Sequence, residues 1–318
     1  LLFFTVSGEF VRIVFSLMPQ MLQGDLLVLI PAGQNLDSVL SLLIMASALL
    51  FFFWGRFSVA LGPRYRFVRV VLPLHGKLRR RPRFRRSAQA THKLRLVQVS
   101  DLHIGRAIKE GYVRKVVEMI NAQQADLACF TGDIGDGNIA ELRSDAAPLA
   151  DIQTRHGVYY VPGNHEYYWG MTEWIKEFTA LGMKAVINRG ETIQTKDLSL
   201  FVAGVSDPTA ARFAGELPKI PKPEKTNFSL LLVHQPLFAR SAASLGYDLM
   251  LAGHTHGGQY IPWSWVVHLF FRFAKGLYRT GNMLVYVNDG TGYWGAPLRI
   301  GTRPEITVLD IYFSEVGA

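Results

Sequence analysis

Five short polar motifs, each directly after a short apolar run, constrain this chain more than any other feature. They are Asp101-Leu102-His103, Gly132-Asp133, Gly163-Asn164-His165-Glu166, His234 and Gly253-His254-Thr255-His256-Gly257. Short apolar runs bounded by Gly, Pro, Asn or Asp read as strands. Such strands are expected at 94–100, 126–131, 157–161, 198–205, 228–233, 249–252, 283–287 and 305–311. If they lie roughly parallel in packed sheets, the five polar ends gather at one rim. In open α/β sheets that rim is where ligands bind.

Helices are expected between several strands. Val113, Val116, Val117 and Ile120 follow i, i+3, i+4, i+7 spacing, and Trp174, Phe178 and Leu181 repeat the pattern before Gly182 as a stop signal. The alternation predicts a layered α/β domain with buried sheets. Cys129 is the single cysteine, so no intrachain disulfide forms; inside Leu127-Ala128-Cys129-Phe130 it reads as a buried thiol.

The motifs collect the donors of a metal site. Asp101 and His103 at i, i+2 point the same way on an extended segment and can grip one ion. His254 and His256 share that spacing and fall either on one ion or on two neighbouring ions. Asp133 has two oxygens and can bridge two cations. Gly132 and Gly163 let the chain turn sharply, and Asn164 offers a neutral oxygen. Such mixed N/O ligands suit Mn, Fe, Zn or Co. Two divalent ions side by side equip a chain to hydrolyse phosphate esters. Asp136 reads as a turn residue or a partner to a ligand, and Glu166 as structural. His75, His92, His156 and His268 lack metal-ligand company.

All five blocks, in order across residues 94–258, resemble the calcineurin-like metallophosphoesterase superfamily, whose pattern is D-x-H, G-D, G-N-H-[DE], a lone His and G-H-x-H. The resemblance implies a four-layered α/β fold, two sheets sandwiched between helices. It implies that Asp101, His103, Asp133 and His256 bind one metal. Asp133, Asn164, His234 and His254 would bind the other, with Asp133 bridging. His165 would sit near the leaving-group oxygen as acid or electrostatic stabiliser. Hydrolysis would use a metal-activated hydroxide.

Further segments are similar to a bacterial membrane-associated branch that contains the YaeI and YkuE phosphodiesterases. They are Thr131–Gly137, Gly163–Tyr168, His254–Gln259 and Tyr286–Gly292, then Arg299 and Pro304–Ile306. One group in that branch cleaves UDP-2,3-diacylglucosamine in lipid A synthesis. A departure falls at Asn288-Asp289, where similar proteins often carry a basic residue.

The rest of the chain bears on location. Ser38–Gly55 is uncharged and rich in Leu, Phe and Ala. Its 18 residues span ~27 Å, near the ~30 Å of a bilayer core. It reads as a transmembrane helix, with a buried soluble helix as the alternative. The formal charge of +9 is local: 13 Lys and Arg and no acid lie between Arg56 and Arg95, leaving 21 basic against 25 acidic residues elsewhere. Val68, Val71, Leu72 and Leu74 suggest a short helix before Lys77–Arg86. That basic arm serves as a topology-setting linker or as a surface for anionic lipid; a nucleic-acid role finds only Phe84 as an interleaved aromatic. Leu1–Ile30 is apolar but interrupted by charge, consistent with an interfacial helix or part of another span.

The organisation expected is therefore a membrane-associated region over 1–55, a basic arm over 56–93 and a metallophosphoesterase domain over 94–318. The apolar stretch Tyr260–Ala274, with only Arg272 charged, reads either as a core helix or as a second membrane contact. The leading expectation is a dinuclear phosphohydrolase at the bacterial inner membrane, facing the cytoplasm and acting on a lipid-linked phosphodiester or pyrophosphate. The alternatives are a phosphodiesterase on soluble nucleotides or cell-envelope phosphodiesters, and a non-enzymatic scaffold, against which all seven ligands argue.

Overall fold

A computed structural model describes residues 36–73 and 92–314. The expected roles of Leu1–Ile30, His75 and Lys77–Arg86 fall outside these residues. In chain order the elements are α1 (Leu36–Ala60), β1 (Arg64–Pro73), β2 (His92–Val99), α2 (Glu110–Ala122), β3 (Leu127–Thr131) and α3 (Ile139–Ala146). There follow β4 (Val158–Val161), α4 (Asn164–Trp169), α5 (Met171–Ala180), β5 (Met183–Ala185), β6 (Arg189–Gln194) and β7 (Ser199–Gly204). The chain continues with α6 (Ala210–Phe213), β8 (Phe228–Leu232), α7 (Ala239–Leu245) and β9 (Leu249–Ala252). It closes with α8 (Trp263–Phe270), β10 (Gly276–Thr280), β11 (Met283–Val287) and β12 (Glu305–Ser314).

The strands form two six-stranded sheets, ordered β1-β12-β2-β3-β4-β5 and β10-β11-β9-β8-β7-β6. Strands β2 to β5 run parallel in the first, and β11, β9, β8 and β7 run parallel in the second. Leu96, Cys129 and Tyr159 meet Leu230, Leu251 and Tyr286 in one cluster between the sheets. Residues of α2 and α5, with Val113, Val116 and Trp174, cover the outer face of the first sheet. Those of α7 cover the second, giving four layers. Strands buried on both faces explain why the central runs are continuously apolar rather than alternating. Burial pushes the Cys129 thiol up to about 12, so it stays protonated inside that core.

Two expectations change near the N-terminus. Residues Arg64–Pro73 are not a helix preceding a loose arm. They form β1, paired in parallel with β12 along its whole length. The β-branched and aromatic residues Tyr65, Phe67, Val68, Val70 and Val71 favour that outcome. Helix α1 also runs past Gly55 to Ala60. Among the described residues it is the one helix long and apolar enough to cross a membrane: within Ser38–Ala60 an 18-residue window has a mean hydropathy of 2.1, and 6% of that window is buried. A core helix of a soluble domain would bury most of its length. Only the last turns of α1 enter the domain, where Gly55, Ser58 and Val59 are buried and Val59 joins the core beside Ile306.

Candidate metal centre

Each expected motif sits at the C-terminal end of its strand. Asp101 and His103 follow β2, Asp133 follows β3, Asn164 and His165 open α4 after β4, His234 follows β8, and His254 and His256 follow β9. The two sheets are tied together directly beneath them. Gln98 Nε2 on β2 donates to Thr131 Oγ1 and to Ala252 O, both at 2.9 Å. His234 Nδ1 donates to Thr131 O at 2.8 Å, which aims its Nε2 into the site.

The seven expected ligands converge in two groups. In the first, His256 Nε2 lies 3.3 Å from Asp101 Oδ1 and 3.1 Å from His103 Nε2. In the second, His234 Nε2 lies 3.2 Å from Asp133 Oδ2, 3.1 Å from His254 Nδ1 and 3.1 Å from Asn164 Oδ1. Asp133 Oδ2 also stands 3.9 Å from His103 Nε2, between the groups. Ligand atoms of Asp101, His103 and His256 lie within 4.8 Å of one another, as do those of Asp133, His234 and His254. Imidazole nitrogens 3.1 Å apart need a proton or a cation between them. The buried carboxylates supply negative charge, and the donor set is the mixed N/O type that divalent transition metals accept. These residues fit such a pair of ions.

The backbone at these residues is not extended. Among the described residues eight non-glycine positions have positive φ, and five are Asp101 (52°), His103 (54°), Asp133 (53°), His254 (73°) and His256 (51°). The i, i+2 argument for Asp101 and His103 therefore reached the right grouping by the wrong geometry. Each left-handed L-residue costs roughly 1–2 kcal/mol, strain of the kind that collects at functional sites. His254 and His256 separate onto the two groups, His254 beside His234 and His256 beside His103. Gly132 does turn the chain, at φ 84°. Gly163 does not; a β-carbon there would collide with Asp133 Oδ1, so its role is space.

Glu166 holds this backbone in place. It is fully buried and accepts four backbone hydrogen bonds: Oε1 from Ile134 and Gly135 at 2.6 and 2.8 Å, Oε2 from Asp133 and Gly163 at 3.0 and 2.7 Å. One carboxylate thus fixes the Gly-Asp and Gly-Asn-His loops against each other. Asp136 does the same for a side chain, with Oδ1 2.8 Å from His165 Nδ1 and 2.9 Å from Trp169 Nε1. Burial works against charge on His165, but the hydrogen bond to Asp136 and the charge of Asp133 overcome it and raise its pKa. Burial likewise opposes charge on Asp133. The charge and hydrogen bond of His234, then His103 and His165, hold the carboxyl well below the usual range.

Sequence reasoning gave too little weight to Arg299. Its guanidinium is completely buried. Nε and Nη2 donate to Gly292 O at 2.9 and 2.8 Å, and Nη1 to His256 O at 3.2 Å. It locks the loop after β11 to the His256 turn; the resemblance included it without a role, and the residues themselves offered only one cation in the apolar run Pro297-Leu298-Arg299-Ile300. Asn288 is turned inward, with Nδ2 donating to Thr307 Oγ1 and Oδ1 accepting from Gly290 N, so it offers no anion contact.

Two cavities adjoin the site. One, of about 490 Å³, runs from His103, Asp133, Asn164, His165, His254 and His256 to an aromatic wall of Tyr260, Trp263, Phe271 and Trp294. The other, of about 650 Å³, shares His103 and Trp294 and is lined by Arg106, Lys109, Asp136, Asn138, Glu141 and Trp169.

Residues 94–258 match the model of the family described as calcineurin-like phosphoesterase. An uncharacterized metallophosphoesterase of Helicobacter pylori is 36% identical over 225 residues, 69% of this chain and 60% of that protein. One of Campylobacter jejuni is 30% identical over 321 residues, covering 98% of this chain and 78% of its own. A Danio rerio protein named transmembrane protein with metallophosphoesterase domain is 35% identical over 233 residues, 69% of this chain and 53% of that one. The chain thus spans about 60% of the length of the Helicobacter relative. With a matched motif set, two layered sheets and relatives of this identity, the chain belongs to the calcineurin-like phosphoesterase family.

Proposed function

We propose that this chain is a membrane-anchored, metal-dependent hydrolase that cleaves a phosphodiester or pyrophosphate bond in a lipid-linked substrate, with UDP-2,3-diacylglucosamine as the first candidate. The observation that carries the reading is the 490 Å³ cavity, which has the ligand cluster on one side and Trp263, Val267 and Phe271 on the other. A site that places an apolar wall against a phosphate centre suits a substrate that is charged at one point and greasy beside it.

Asp101, His103, Asp133 and His256 would hold one ion, and Asp133, Asn164, His234 and His254 the other. When bound, two divalent cations, manganese among the candidates, supply Lewis acidity toward phosphoryl oxygens and a lowered pKa for water. The chain's own residues do the rest. Asp136 orients His165 through Nδ1 and leaves Nε2 facing the cluster, 4.0 Å from Asp133 Oδ2. His165 Nε2 would donate a proton to the departing oxygen or stabilise its charge. Glu166 and Arg299 hold the ligand loops so that little reorganisation is needed on reaction.

Helix α1 supplies the anchor, and the Danio rerio relative's name supports it. The 13 basic residues after it favour a catalytic domain on the cytoplasmic side of a bacterial inner membrane. A second reading, a phosphodiesterase on soluble nucleotides, draws on the other cavity, where Arg106 and Lys109 stand near Trp169 and Tyr293.

The test is mass spectrometry of a lipid extract incubated with the manganese-loaded full chain and with its Asp133→Asn variant. A lipid phosphodiester or pyrophosphate lost only with the unaltered chain supports the reading. Equal turnover of matched substrates with and without acyl chains would transfer the assignment to the soluble class.

A further inference from the structure

Helix α8 is the most exposed apolar element outside α1. Trp263 (58%), Trp265 (63%), Leu269 (83%) and Phe270 (80%) face away from the protein, while Ser264 and Val267 are buried. Contiguous apolar exposure of this kind marks a partner or a membrane. What α8 is attached to decides between them.

The segment 297–302 joins α8 to the place where α1 leaves the domain. Arg299 N donates to Gly55 O at 3.2 Å, and Arg56 Nη1 to Pro297 O at 3.2 Å. One residue on, Ile300 O accepts from Ile261 N at 3.0 Å, and Ile300 N donates to Gln259 O at 3.0 Å. Two hydrogen-bonded pairs and one residue step therefore link Gly55 to Ile261, about 15 Å at most from Cα to Cα. At the same level α1 changes character: Trp54 is exposed and apolar, Gly55 is buried, and Arg56 is charged. That order is the signature of a headgroup region. The start of α8, with two tryptophans, is held at the same depth.

We propose that α8 lies in the headgroup–acyl boundary of the leaflet from which α1 emerges, as a second, non-spanning membrane contact. Leu269 and Phe270 reach toward the acyl chains, and Trp263 and Trp265 sit at the headgroups. Because Trp263, Val267 and Phe271 also line the metal-site cavity, its mouth opens at the lipid surface and a substrate arrives laterally. A protein partner would not explain why the exposed face is tied to the exit of α1. The proposal rests on α1 spanning the membrane, but not on the identity of the substrate.

The test uses the full chain in lipid nanodiscs. The lone native thiol, Cys129, is fully buried, so a cysteine at Leu269 can be labelled selectively with an environment-sensitive fluorophore. Lys196, in the β6–β7 turn at the opposite end of the sheets, serves as the control. Hydrolysis of a soluble nitrophenyl phosphodiester reports that each variant is folded. For Leu269→Cys the label should be several-fold more quenched by spin-labelled lipid than by aqueous iodide, and for Lys196→Cys the order should reverse. Equal iodide quenching at both positions overturns the proposal, as does protection of the Leu269 label from both quenchers, which indicates a protein contact. Failure of the chain to enter nanodiscs would instead remove the anchor on which both readings depend.

Discussion

Asp136 Oδ1 and His165 Nδ1 lie 2.8 Å apart, and the other imidazole nitrogen faces Asp133. This pair fixes the ring's tautomer and aim, as carboxylate partners do for histidines in hydrolytic sites. Asp136→Ala should lower kcat by about 10–100-fold, the range for lost partners of site histidines. The loss should be larger on substrates with alkoxide leaving groups than on nitrophenyl esters, whose leaving group needs no proton. Steady-state kinetics on a matched pair of esters checks this; equal losses on both would remove the proton role from His165.

Glu166 should matter to stability before chemistry. Glutamine in its place replaces one oxygen that accepts two backbone N–H groups with an NH₂ that accepts none. Two buried donors would be orphaned, at a cost of about 3 kcal/mol. Thermal unfolding of Glu166→Gln in detergent should show a clear drop in Tm and a weaker retention of metal. An unchanged Tm would mean that the loops hold themselves.

Metal removal gives the third prediction. Ions that bind only the folded chain stabilise it by mass action, by about 2.7 kcal/mol at 100 times the Kd. Chelation should lower Tm and abolish turnover, and manganese should restore both. Asp133→Asn should bind less metal by elemental analysis and should show a smaller Tm response to chelation.

A pH effect is expected far from the site. Arg95 grips Asp310 with two hydrogen bonds, Nε–Oδ1 at 2.7 Å and Nη2–Oδ2 at 2.9 Å, and Lys93 adds a contact at 3.3 Å. The bond from Arg95 lowers the Asp310 pKa against the opposing effect of burial, with help from Lys93. A depressed carboxyl stabilises the fold above its unfolded pKa of about 3.9 and loses that contribution as pH falls through the folded value. Asp310→Asn should therefore cost about 1 kcal/mol at pH 7, scaled for partial exposure. The gap from the unaltered chain should shrink below about pH 3.9, as urea titrations at several pH values will show.

The eight expected strands all exist, with ends no more than three residues from those expected. The four that were not foreseen, β1, β5, β6 and β10, are the four edges of the two sheets. An edge strand has one neighbour and a partly wet surface, so its sequence need not be apolar; Arg189-Gly190-Glu191-Thr192-Ile193-Gln194 reads as a loop for that reason. The candidate metal ligands were legible because metal binding demands particular residue types at strand ends. Their left-handed backbone was not, since the enrichment of Asp and His at φ above zero is too weak to announce it in a motif this short. Arg299 was obscured for a similar reason: its partners are carbonyl oxygens, which every sequence has. Gly253 was legible only as a motif letter. Its reason is steric, because a β-carbon there would strike Ser100 Oγ and Asp101 Oδ2.

Val59 lies in the domain core and Trp54 stands exposed five residues earlier, with no break in the helix between them. About 7 Å of continuous helix separates the two. An enzyme on a flexible leash sweeps a hemisphere and meets whatever dissolves there. A domain mounted rigidly on α1 in a bilayer stays at one height, turning about the helix axis and drifting in the plane. Its encounter rate would follow molecules per unit area rather than per unit volume, so diluting the surrounding solution would leave its work unchanged while spreading the same lipid over more bilayer would slow it.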